Sequence, residues 1–158
     1  MTGFRSRATL ALLLVSIACA RGPVRPAPLE AGGEACAWCR MTVSDPRLAA
    51  QIVAPAEQPL FFDDIGCLAD YLARSGTGPA RRIAYLADHR TGEWVPASRA
   101  LLTRNASFAT PMGSHLMAHA DAASRDADPS AAGGVELELS GVFGTAGPPD
   151  GGAAREKP

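Results

Sequence analysis

Charge of either sign is nowhere in excess: 15 Lys and Arg against 16 Asp and Glu leave a formal net charge of −1. No basic patch marks a nucleic-acid surface, which would draw its affinity from clustered cations on phosphates. Long apolar runs are missing as well. The run Ala8–Ala18, broken by Thr9 and Ser16, falls short of the roughly 20 residues a membrane-spanning helix needs, and no second span follows it. There is no glycine-rich phosphate loop after a strand and no Ser/His/Asp arrangement with recognisable local context. His115-Leu116-Met117-Ala118-His119 fails the metalloprotease pattern because Leu116 stands where Glu is required. Cys36-Ala37-Trp38-Cys39 is followed by Arg40 rather than the His of covalent haem attachment. Nothing in the chain argues for an enzyme.

The two ends carry their own signals. Arg5 and Arg7 precede the short apolar run, which closes with Val15-Ser16-Ile17-Ala18-Cys19. Residues 1–19 therefore read as an export signal, and its end resembles the bacterial lipobox, in which the Cys becomes the lipidated first residue. Ser16 departs from the Leu commonest there. Ala20, not Asp, follows Cys19, which favours the outer membrane. Residues 20–34 are rich in Pro and Gly and read as a flexible linker; residues 144–158 read as a disordered tail for the same reason. The remaining stretch, 35–143, suffices for one small domain with one modest core.

What the chain does have is sulfur in clusters. Cys36, Cys39 and Met41 lie together, and Met112 with His115 forms a second group further on. Thiolates and thioethers suit Cu(I), which prefers them to carboxylates. With Cys19 lipidated, three cysteines remain, an odd number that leaves at least one thiol unpaired or metal-bound in an oxidising compartment. Alternatives stand beside this one: a Cys36–Cys39 disulfide with Cys67 buried, a thioredoxin-like redox pair, or a zinc site of Cys36, Cys39, Cys67 and one His. His119 reads as a solvated helix residue, His89 as an exposed turn residue, and Met117 as core.

Hydrophobic patterning predicts strands over 47–54 and 60–62, joined by the Pro55–Pro59 loop. Asp63 or Asp64 caps a helix whose Ile65, Leu68, Tyr71 and Leu72 fall at helical spacing, ending at Gly76. Residues 82–87 form a strand, and Glu93-Trp94-Val95 closes a second hairpin. A short helix or turn is expected around Ala100–Leu102, a helix over His115–Ala123, and a strand over 135–139. The result is an α+β domain with antiparallel sheet and two ββαβ-like halves.

These residues resemble the NosL family of nitrous oxide reductase accessory proteins. The likeness is carried by the leader, by Cys36-Ala-Trp-Cys39-Arg-Met41 against the family's C-x-x-C-G-M, by Phe61-Phe-Asp-Asp-Ile-Gly-Cys67, by Thr91-Gly-Glu-Trp94, by Pro111-Met-Gly-Ser114 and by Gly133-Gly134. It implies a membrane-anchored, periplasm-facing Cu(I) chaperone working with an ABC-type assembly complex and apo-nitrous oxide reductase. Its metal residues would be Cys36, Cys39, Met41 and Met112, with His115 an added ligand or a bystander. Arg40 replaces the usual Gly.

Overall fold

The computed structural model describes residues 23–30, 32–78 and 81–152. The expected leader and the lipidation site Cys19 lie outside these residues. Among the described residues no helix is long and apolar enough to cross a membrane.

The first half runs β1 (Ala50–Val53), β2 (Leu60–Phe62), α1 (Ile65–Ser75) and β3 (Ile83–Ala87); β4 (Trp94–Pro96) then completes an antiparallel sheet in the order β2-β1-β3-β4. Helix α1 starts where Asp64, in extended conformation, accepts a hydrogen bond from the Gly66 amide, and it ends at Gly76, whose φ of 68° suits a residue without a Cβ. Its apolar stripe of Ile65, Leu68 and Leu72 packs with Ala50, Phe62 and Leu86 into the main core.

The second half repeats this order. β5 (Leu101–Arg104), β6 (Leu116–His119), α2 (Ala122–Asp126) and β7 (Val135–Leu137) form a sheet β6-β5-β7, matching β2-β1-β3. A short helix α3 (Leu139–Phe143) packs against α1. The α+β class and the paired halves are thus as the pattern predicts.

Two expectations are corrected. Leu116–His119 is a fully buried strand paired with β5, not part of a helix over His115–Ala123. His115 takes a φ of 59°, which a right-handed helix does not admit, and pairing with β5 outweighs the local helical spacing. Likewise, the turn expected at Ala100–Leu102 lies three residues earlier, as a 3-10 turn at Ala97–Arg99, and Leu101 already pairs in β5.

The ends of the domain also reach further than composition suggests. The Ala27 amide donates to Gln51 Oε1 at 2.7 Å, and the Tyr85 hydroxyl donates to Val24 O at 2.8 Å, docking residues 24–27 on the first sheet. The Ala84 amide donates to Pro149 O at 2.8 Å, so part of the 144–158 segment lies along β3.

Candidate metal centre

The segment before β1 is a tight loop. Ala35 and Thr42 bridge antiparallel across it, the Cys36 amide donates to Met41 O at 2.7 Å, and the Arg40 amide donates to Cys36 O at 3.0 Å. The Ala37 amide donates to Phe61 O at 2.8 Å, seating the loop on β2. Asp63 holds its far end, accepting from the Ser44 amide at 2.7 Å and the Ser44 hydroxyl at 3.0 Å. The Cys-x-x-Cys pair therefore sits in a loop and does not open a helix, as a thioredoxin-like motif would.

Cys67, in the first turn of α1, projects back toward this loop. The sulfurs of Cys36, Cys39 and Cys67 all lie within 4.8 Å of one another, and all three are free thiols. Cys36 and Cys67 are buried and Cys39 is half-buried. Sequence reasoning read Cys67 chiefly as a small core residue. It is buried, but beside the other two thiols, and its place in the first turn after the Asp64 cap is the signal that could have assigned it to the site.

The three thiols are not equivalent. Burial disfavours the Cys36 thiolate, yet the amides of Asp63, Cys39 and Trp38, with the Cys39 thiol, outweigh it and hold its pKa below the ordinary value. Burial raises Cys39, and the proximity of Cys36 adds to that rise against the opposing Met41 amide. Burial, followed by the charge on Cys36, pushes Cys67 up as well. A corner in which the thiolate is favoured at Cys36 and disfavoured at its two neighbours suits a cation soft enough to displace thiol protons.

The methionine loop reaches the same corner through Asp64. Besides capping α1, the buried Asp64 accepts from the Thr110 hydroxyl at 2.6 Å and the Met112 amide at 3.1 Å. A Cβ on Gly66 would lie 2.8 Å from Ser114 Cβ, so this loop packs directly on the start of α1. Met41 and Met112 are 48% and 45% exposed, unusual for thioethers that serve only as core. Gly113 takes a φ of 71° in this loop, which is a turn and not a helix start. The Nδ1 of His115 lies 2.7 Å from Phe108 O.

Neither remaining histidine is where patterning put it. His89 and His119 are both buried, against expectations of an exposed turn and a solvated helix face, because β6 places His119 inside the second half and the His89 amide bonds Ala118 O of the same strand at 2.9 Å. They meet at Asp128. Among the described residues the thiol group includes no histidine, so the fourth ligand of a zinc reading is not supplied there. No curated protein and no solved structure matches the chain. A family model does: NosL, over residues 26–142.

Proposed function

The chain belongs to the NosL family, and from that premise we propose that it is a Cu(I) chaperone that carries copper to maturing nitrous oxide reductase. The family is one of copper-binding accessory proteins, not of enzymes. The observation that carries the reading is the convergence of the Cys36, Cys39 and Cys67 sulfurs within 4.8 Å. Such a soft, compact set suits a monovalent copper ion with low coordination number.

Delivery requires that the ion can leave. Cys39 is partly open to solvent and the Met41 and Met112 side chains are exposed, so an acceptor's thiolate or imidazole can enter before the first ligand departs. Thioethers hold Cu(I) without being lost to disulfides, an advantage in an oxidising compartment. The lipobox-like end at Cys19 supports a periplasm-facing lipoprotein, most simply in the outer membrane. In that setting the partners would be an ABC-type assembly complex and the apo-reductase.

The test is Cu(I) competition with a chromophoric chelator under anaerobic reducing conditions. One tight equivalent is expected. Cys67→Ser should weaken it at least tenfold, and Met112→Ala should weaken it less while speeding transfer to the chelator. Absence of Cu(I) binding by the reduced, folded protein would sink the proposal.

A further inference from the structure

We propose that His89, His119 and Asp128 form a second metal site, sharing no residue with the thiol corner and fitted to a divalent ion of borderline softness, Zn²⁺ or Cu²⁺. Their ligand-capable atoms all lie within 4.8 Å of one another, and all three side chains are buried. Nδ1 of His89 lies 2.6 Å and Nε2 of His119 lies 3.0 Å from the same oxygen, Oδ2 of Asp128. The other carboxylate oxygen accepts from the Ser130 amide at 2.9 Å, which fixes the plane of the acid. Two imidazoles and one oriented carboxylate, drawn from three separate elements, are a ligand set that first-row divalent ions take up in proteins.

Charge and packing support the assignment. A buried carboxylate is costly unless a cation faces it. Among the described residues no Lys or Arg is ion-paired with Asp128; its partners of that kind are the two histidines. A divalent ion between the three groups would supply the charge. Bonds of about 2.0–2.2 Å would require only that the present 2.6 and 3.0 Å approaches open slightly. Nδ1 of His119 is buried without a hydrogen-bond partner, so that ring is not locked in a two-sided hydrogen-bond relay. Phe108 packs edge-on against His89 at 5.0 Å, and an open cleft lined by His89, Asp128, Asp45, Arg90 and Ser130 gives an ion and a water ligand their route in.

The test separates this site from the thiols. In a Cys36→Ser/Cys39→Ser/Cys67→Ser protein, calorimetric titration should give one equivalent of Zn²⁺ and a tighter equivalent of Cu²⁺, the order expected of such ligands. His119→Gln added to that background should weaken both at least tenfold. Should either variant fail to fold, imidazole nitrogen NMR of the unmodified reduced protein answers the same question: Zn²⁺ is expected to shift His89 Nδ1 and His119 Nε2 while leaving His115 unmoved. No saturable binding in the folded variant, or Zn²⁺ that leaves both resonances in place, would overturn the site. Neither result bears on Cu(I) at the thiols.

Discussion

Arg40 is strained where its neighbours are not. Its φ of 67° lies in the left-handed region, where an L side chain costs about 1–2 kcal/mol and glycine nothing. The resemblance that places Gly at this position acquires a physical reason here: the loop must reverse between Cys39 and Met41 so that Met41 O can accept from the Cys36 amide. Gly92 makes the same turn between β3 and β4 with a φ of 78°. Arg40→Gly is therefore expected to stabilise the apo-protein. Relief of strain minus the greater freedom of an unfolded glycine, about 0.5–1 kcal/mol, leaves a net gain of about 0.5–1 kcal/mol in urea unfolding. A loss instead would mean that the Arg40 side chain makes a compensating interaction of its own.

At the scale of elements, the adjacent carboxylates Asp63 and Asp64 join three of them. Asp64 caps α1 and ties down the Thr110–Ser114 loop, while Asp63 holds the Cys36–Ser44 loop. Asp64→Ala leaves the Gly66 and Met112 amides and the Thr110 hydroxyl without their acceptor, so destabilisation of about 2–4 kcal/mol is expected from loss of a cap and of charge-assisted hydrogen bonds. Cu(I) affinity should fall in parallel if Met112 is a ligand; an unchanged affinity in the folded variant would confine the ion to the cysteines. The cap itself was legible, since Asp before an apolar helical stripe is a strong start signal. What the sequence could not reveal was the second use of the same carboxylate, because the Thr110 contact spans 46 residues. The same limit explains β6: Leu-Met-Ala-His has spacing compatible with a helix, and only its partner strand decides otherwise. The two thiol-bearing segments were visible one by one, whereas the pairing of Cys67 with Cys36 and Cys39 required knowing where α1 begins relative to the loop.

Across the whole molecule, the two halves correspond atom group by atom group around the thiol corner. Cys36 bridges Phe61 and Asp88 bridges Ala118, both in parallel. The Cys36 amide donates to Met41 O and the Asp88 amide to Glu93 O, at 2.7 and 2.8 Å. Asp64 and Asp121 cap the two helices, with Cys67 and Ser124 each three residues on. By this correspondence Asp88, Thr91 and Ser124 occupy the places of Cys36, Cys39 and Cys67. The amides of Asp63, Cys39 and Trp38 favour the Cys36 thiolate; those of Ala120, Thr91 and Arg90 face the Asp88 carboxylate, at 2.8, 2.9 and 3.0 Å. Burial works against the Asp88 charge, but the Ala120 amide, the Ser124 hydroxyl and Thr91 bring its pKa to about 2. One backbone cradle thus favours the anionic sulfur at Cys36 and the anionic oxygen at Asp88, and around Asp88 a hydrogen-bonded triad takes the place of three thiols. This makes a strong demand on the proposed function. If the cradle together with three thiols makes the copper site, then Asp88→Cys/Thr91→Cys/Ser124→Cys should raise Cu(I) stoichiometry from one to two, with some loss of stability from the removed carboxylate. The count is read by anaerobic titration after circular dichroism has shown the variant to be folded. A folded variant that still takes a single ion would show that the cradle and the thiols do not suffice, and that Met41 and Met112 are what make the first site bind.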